Sequence, residues 1–254
     1  MKKRKLGQHF LYDDAILGKI VAAANISPGD IVVEIGPGTG SLTEKLIGKA
    51  KKVIAIELDK NLYDRLKERF RGVLNLELVN CDALQYDYKA AGTFKVAANI
   101  PYYITTPLIF RLLGERETLA GMTLMVQKEL AERIASPPGR KSYGVLSIMA
   151  QLVSVPEIKF IVSRNSFRPP PEVDSAVIDF QMLKDKEKIS IADEKLFAAI
   201  VRTSFSMRRK TLGNNLKGFG SGVGDMLNSI GIDPRRRPET LSIDEYARIT
   251  NALA

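Results

Sequence analysis

The 254-residue sequence has one cysteine, Cys81, and one histidine, His9. A single thiol excludes an intramolecular disulfide, and the two residues together are too few for a Cys/His metal site. No metal is expected. Histidine acid–base chemistry is open only to His9 itself. No stretch approaches the roughly eighteen apolar residues of a membrane span. Met1-Lys2-Lys3-Arg4-Lys5 leads into Leu6-Gly7-Gln8 and not into an apolar signal core, so a cytoplasmic protein without a membrane partner is expected. Internal repeats and low-complexity segments are missing. Acidic residues are missing between Arg202 and Lys217, where Arg202, Arg208, Arg209, Lys210 and Lys217 accumulate.

What is present begins with charge. A hydrophobic content of 45% and a charged content of 26% are ordinary for a soluble chain, but a net charge of +9 points to a polyanionic partner. Residues 184–254 hold 13 basic and 9 acidic residues, so the excess is not confined to the tail. Lys3, Arg4 and Lys5, with Arg202, Arg208, Arg209 and Lys210, are the candidate phosphate contacts, which would make RNA affinity salt-dependent. A solvated tail and a cationic helix end are the competing readings of these two groups.

Short apolar runs alternate with helical patterns over the first two thirds of the chain. Strands are expected at Ile31–Ile35, Val53–Ile56, Leu76–Val79, Phe94–Ala98 and Met122–Val126, with helices between them, and Thr106 is read as a helix cap with Pro107 at the first position. Such alternation gives a mostly parallel α/β sheet. Ile158–Val162 and Ala176–Phe180 have no helical pattern between them and suggest an antiparallel edge. The segment between them, Ser166 to Ser175, reads as a stiff extended loop, and Tyr143–Val153 as a helix. Beyond the charged stretch Lys184–Lys188 no strand is found. Asp193 caps a helix that continues through Arg202 to Lys217, and Ser242-Ile243-Asp244-Glu245 has the capping-box pattern. The division expected is residues 1–182 as an α/β domain and 183–254 as a small helical, RNA-binding domain.

The chemistry lies at the ends of the strands, where ligands bind in open α/β sheets. Ile31–Ile35 runs into Gly36-Pro37-Gly38-Thr39-Gly40, and glycines at such a turn let the backbone approach a ligand closely. Glu57 ends the next strand, placed to accept from ribose hydroxyls. Asn80-Cys81-Asp82-Ala83 follows the third, and Asp82 can accept from an adenine amino group or merely cap the turn. Cys81 reads as a small buried residue without a role. By itself GxGxG suits an NAD(P) dehydrogenase, an S-adenosylmethionine (SAM) methyltransferase or a structural turn. The Gly-x-Gly-x-Gly spacing, Pro37 inside it and Asp82 favour SAM.

Asn99-Ile100-Pro101-Tyr102 closes the fourth strand. Asn99 and the Ile100 carbonyl can accept both N–H bonds of a planar amino group, Pro101 fixes the backbone, and Tyr102 can stack on the ring that carries the amine. Accepting those protons frees the nitrogen lone pair by positioning and electrostatics, without a strong base. Taken alone, the tetrapeptide is equally an Asn-x-Pro turn.

Taken together, these segments resemble the small-subunit ribosomal RNA adenine dimethyltransferases over nearly the whole chain. The resemblance rests on Gly7-Gln8-His9-Phe10-Leu11, the glycine turn, Glu57-Leu58-Asp59, Asn99–Tyr102, Tyr143–Ser147, Phe167–Ser175 and Phe205–Leu212. It implies a class I, Rossmann-like SAM methyltransferase that dimethylates N6 of two adjacent adenosines in the 3′-terminal hairpin loop of small-subunit rRNA. The protein would act as a monomer on an assembly intermediate. By that resemblance His9, Leu11, Gly36, Glu57, Asp82 and Asn99 line the SAM site, with Gly38, Gly40 and Ala83 in the same turns, and Tyr102 and Phe167 sandwich the target adenine. Ile100 departs from the usual leucine toward the related large-subunit enzymes of antibiotic resistance. The readings left beside it are such a large-subunit methyltransferase, a non-catalytic assembly factor, an NAD(P) oxidoreductase and a small-molecule methyltransferase.

Overall fold

The computed structural model describes residues 10–184, 189–207 and 209–254. The chain packs as two compact units, one of Met1–Ala131 with Pro156–Met182 and the other of Glu132–Val155 with Leu183–Ala254. The change of unit at Met182 is where the charged stretch begins. The segment Glu132–Val155, counted with residues 1–182 on sequence, packs with the C-terminal helices instead.

In the first unit Asp13 caps α1 (Asp14–Ala23) by accepting from the amides of Ala15 and Ile16 at 3.0 and 3.2 Å, and the helix buries Leu17, Ile20 and Val21. Next come β2 (Ile31–Ile35), α2 (Ser41–Ile47), β3 (Lys52–Ile56), α3 (Lys60–Arg69), β4 (Leu76–Val79), β5 (Phe94–Asn99), α4 (Thr105–Leu113) and β6 (Leu119–Gln127). A two-residue strand, β1 (Phe10–Leu11), precedes them. Farther on lie β7 (Ser154–Val162), β8 (Phe167–Arg168) and β9 (Ser175–Met182). The seven-stranded sheet runs β4-β3-β2-β5-β6-β9-β7, with β4 to β6 mutually parallel and β9 antiparallel to β6. Near-continuous burial of β2, β3 and β5 suits strands covered on both faces. The expected parallel sheet with an antiparallel strand is observed.

Three local expectations change. Helix α4 begins at Thr105, whose hydroxyl donates to the Pro101 carbonyl at 3.2 Å, so Thr106 is not its cap. Pro107 lies in the first turn, where a helix amide has no partner to lose. The segment after Ser166 is not all loop: Phe167 and Arg168 pair antiparallel with Leu11 and Phe10. Both Leu11 and Phe167 are buried, and that burial holds the short ladder.

After β6 comes α5 (Lys128–Ile134), and in the second unit α6 (Val145–Gln151) is shorter than expected, beginning after Gly144. Asp193 caps α7 (Glu194–Ser204), which stops well short of Lys217. The Asn215 amide donates to the Ser204 and Met207 carbonyls at 2.6 and 3.3 Å, taking acceptors that helix continuation would have used, and α8 (Leu212–Leu216) starts anew. The short α9 (Val223–Ser229) follows. Before α10 (Ile243–Leu253) the capping box forms as expected: Ser242 Oγ accepts from the Glu245 amide at 3.2 Å, and Glu245 accepts from the Ser242 amide at 2.9 Å.

Candidate functional site

Strand order reverses between β2 and its neighbours β3 and β5, the position at which an open α/β sheet leaves a crevice beyond its carboxyl ends. Four chain segments emerge there: the glycine turn after β2, Glu57 after β3, Asp82 after β4 and Asn99 at the end of β5. One cavity is lined by all four, together with Phe10, Leu11 and Phe167.

The glycine turn is held by its own backbone. Gly36 (φ +69) donates to the Ile56 carbonyl at 2.9 Å, and Gly38 (φ +59) donates to Glu57 Oε2 at 3.2 Å. A side chain on Gly38 would place a Cβ 3.1 Å from the Phe10 ring, so this glycine keeps the cavity wall thin. Gly40 differs from both. It is buried outside the cavity lining, with φ +86, and a Cβ there would lie 2.6 Å from the Phe70 ring and 2.9 Å from Leu66. The expected cofactor contact at Gly40 is therefore a packing contact with α3. Gly40→Ala should lower the unfolding free energy by about 2–5 kcal/mol through backbone strain and overpacking. The midpoint of urea unfolding reads this directly, and a loss below about 1 kcal/mol would count against the packing role.

Three carboxyl groups line the cavity. Glu57 is buried, accepts from the Asp59 amide at 2.8 Å as well as from Gly38, and is pushed above the usual carboxyl range chiefly by burial. Each of its oxygens keeps a lone pair for a further donor. Asp82 accepts from the Leu84 amide at 2.9 Å, so it caps its turn and lines the cavity at once. Ala83 lines it too, and its carbonyl accepts from the buried Tyr88 hydroxyl at 2.8 Å. The third acid, Glu34, was not singled out on sequence. It is 2% exposed within β2, and the Thr43 hydroxyl donates to it at 2.6 Å. Burial, with Glu57 nearby, raises its pKa to about 8. The signal available was a lone acid inside an otherwise apolar strand. Cys81, expected to be buried, is half-buried and lines the cavity; burial and then Asp82 push its thiol up, away from nucleophilic thiolate.

Asn99 sits opposite Met125 of β6, and the next amide, Ile100 N–H, donates to the Met125 carbonyl at 3.3 Å. Its own side-chain amide lines the cavity and has no hydrogen-bond partner among the described residues. Ile100, Pro101 and Tyr102 complete this wall. The Tyr102 hydroxyl lies 2.8 Å from Ser175 Oγ, and the ring is half-buried. Phe167 lines the same cavity but is 2% exposed and packs with Leu11, Leu17 and Val177. Tyr103, also not singled out on sequence, is 54% exposed at the cavity; partial burial and then Asp82 and Glu57 push its phenol up. Two consecutive aromatics after Pro101 were the signal for it. His9, Lys3, Arg4, Lys5 and Arg208 lie outside the described residues. Arg202, Arg209 and Lys210 are exposed, with no ion pair among the described residues.

The lining contains Glu34, Glu57 and Asp82 and, among the described residues, no lysine or arginine. Glu34 keeps its proton at neutral pH, so the negative charge of the lining comes from its other carboxyls; that charge, with no cation among the described lining residues, favours a positively charged nucleoside over the pyrophosphate of a dinucleotide. A sulfonium nucleoside meets this donor set: acceptors for its hydroxyl and amino groups, glycine backbone at close approach and apolar walls. No group of three or more potential metal ligands occurs among the described residues.

Comparison with known proteins agrees with this chemistry. The family model described as Ribosomal RNA adenine dimethylase matches residues 1–254. A protein of Caldanaerobacter subterraneus subsp. tengcongensis named Ribosomal RNA small subunit methyltransferase A is 42% identical, over 99% of this chain and 97% of its own. The crystal structure of a dimethyladenosine transferase from Plasmodium falciparum aligns with a TM-score of 0.83 and 32% identity, covering 95% of this chain and 96% of that one. The 23S rRNA methyltransferase ErmE aligns at 0.76 and 25%, covering 96% and 99%.

Proposed function

The chain belongs to the ribosomal RNA adenine dimethylase family, and from that premise we propose a division of labour among its residues and a target within the ribosome. The activity of the family is SAM-dependent methylation of adenine in rRNA. SAM supplies a methyl group already activated by its sulfonium charge. We assign Leu11, Gly36, Gly38, Glu57, Asp82, Ala83 and Asn99 to holding it. The observation that carries the reading is the unpartnered Asn99 amide at the carboxyl end of β5, in a cavity lined by three acids and no cation among the described residues.

Asn99 Oδ1 and the Ile100 carbonyl accept the two N–H bonds of the adenine amine. This localises a lone pair that the purine ring otherwise delocalises. Pro101 stiffens the turn that presents these acceptors. Tyr102 stacks on the base taken out of its helix, worth about 1–3 kcal/mol per stacked base, and Phe167 supplies an aromatic wall. Dimethylation requires that the monomethylated amine be accepted again. The target we propose is the pair of adjacent adenosines in the 3′-terminal hairpin loop of small-subunit rRNA, within an assembly intermediate, by a cytoplasmic monomer. The helical unit, through Arg202, Arg209 and Lys210, contacts phosphates.

Labelled methyl transfer from SAM to under-methylated small subunits, with large subunits and naked rRNA in parallel, tests the target. Dimethyladenosine in small-subunit RNA is expected. Label in large-subunit RNA alone would replace the target with the one named for ErmE, a reading that Ile100 favours. SAM binding without any label would leave a non-catalytic assembly factor.

A further inference from the structure

The short ladder of β1 and β8 has two faces. Leu11 stands opposite Phe167 and Phe10 opposite Arg168, and residues directly opposite in an antiparallel pair project to the same side. Leu11 and Phe167 bury one side. The other side begins at Phe10, whose ring lines the cavity beside Gly38, and continues outward. Tyr12, two residues beyond Phe10, is 50% exposed there, and Arg168 is exposed beside it. The Arg168 guanidinium carbon lies 4.5 Å from the centroid of the Tyr12 ring, within cation–π reach. Tyr12 is itself tied to the segment before β8: its hydroxyl donates to the Asn165 carbonyl at 2.9 Å, and its amide to the Ser166 carbonyl at 3.5 Å. Arg168 forms no ion pair and no side-chain hydrogen bond with any described residue, so its fork of N–H donors is open. Arg164 differs, because its guanidinium already donates to the Glu172 carbonyl at 3.3 Å.

We propose that Arg168, held on Tyr12, contacts the RNA phosphate flanking the target adenosine at the rim of the cavity. A base taken out of its helix draws its own sugar and phosphates toward the mouth that it enters. The interior would repel them, since its lining has acidic side chains and no cation among the described residues. A cation one residue from Phe167, outside that lining, meets the phosphate while the base goes in. Arginine suits the task because its planar fork can reach two phosphate oxygens at once while it stacks on an aromatic ring. The Tyr12 ring restricts a side chain that would otherwise sample many rotamers, so less freedom is lost when the phosphate arrives. The inference rests on the adenine seat assigned to this cavity above.

The test compares wild type with Arg168→Ala, Arg168→Lys, Tyr12→Leu and the double variant Arg168→Ala/Tyr12→Leu on under-methylated small subunits. At saturating SAM, kcat/KM is measured across a salt series, beside equilibrium SAM binding. Arg168→Ala should lower kcat/KM about tenfold and reduce its slope against log salt by about 0.7, the share of one single-stranded phosphate. Arg168→Lys should keep the slope and lose about threefold, because a point charge replaces the fork. Tyr12→Leu should also lose about threefold at an unchanged slope, and should add nothing once residue 168 is alanine. SAM affinity should stay within about twofold throughout. Wild-type kcat/KM and slope in Arg168→Ala would overturn the proposal. So would a fall in SAM affinity as large as the fall in kcat/KM, which would give the arginine to the cofactor's carboxylate instead. A merely structural arginine would lower the urea midpoint and leave the salt slope unmoved, and that result also overturns the contact. Multiplicative losses in the double variant would remove Tyr12 as the platform. A wild-type protein that transfers no methyl to RNA is a different result: it removes the adenine seat itself, and the phosphate contact with it.

Discussion

Asn99→Ala is expected to lower kcat by about 10²–10³-fold, the usual consequence of deleting one preorganised polar group that acts on developing charge. The geometry leaves little else for this side chain to do. Its backbone is paired with Met125 of β6 at the carboxyl end of β5, and its side-chain amide makes no hydrogen bond to any described residue. Truncation therefore removes an acceptor from the cavity without breaking an internal network, and stability should change by less than about 0.5 kcal/mol. SAM affinity should fall much less than turnover, because the carboxyls of Glu57 and Asp82 and the glycine backbone remain. Single-turnover methylation under saturating SAM and RNA, read beside equilibrium SAM binding, separates the two. Turnover within a factor of about three of wild type would remove Asn99 from the chemistry; equal losses in both measurements would make it a binding residue only.

The strand ends that build the cavity were legible because each is an apolar run followed at once by residues that cannot continue it: Gly36, Glu57, Asp82 after its turn, and Asn99 before Pro101. Parallel buried strands carry no alternation, so the run itself is the signal, and its end is where a polar residue has meaning. What was illegible depended on contacts between distant segments. The β1–β8 ladder has two residues per strand and no periodicity to detect, yet it brings Leu11 and Phe167 together. Gly40 looks like Gly36 and Gly38 in sequence and is distinguished only by the Phe70 ring packed against it. The break after Ser204 comes from an asparagine eleven residues on, invisible to helix periodicity. Arg236 stands in a run of three arginines, and its guanidinium is paired with Glu245. A charge run in sequence does not say which of its members face a partner.

Glu34 yields the second large effect, on stability and not on turnover. It is enclosed in β2, with one hydrogen bond from Thr43 and another carboxyl, Glu57, close by, and its pKa rises from 4.5 to about 8. The folded protein therefore keeps the proton across a range in which the unfolded chain has already lost it. Below about pH 4.5 both states are protonated and the group costs nothing. As pH rises toward 8 the folded state binds more protons than the unfolded one, so stability falls; above 8 both are ionised and the dependence ends. The loss attributable to this one group is about 5 kcal/mol across that window. Glu34→Gln keeps the shape and cannot ionise. The difference in unfolding free energy between wild type and this variant, followed in urea from pH 5 to pH 8, cancels the titration of groups remote from Glu34. It should move steadily against the wild type as pH rises, leaving the variant the more stable protein at pH 8. A difference that stays flat across the window would mean that Glu34 is ionised in the folded state at neutral pH. The cavity would then hold a buried negative charge before any cationic nucleoside enters it.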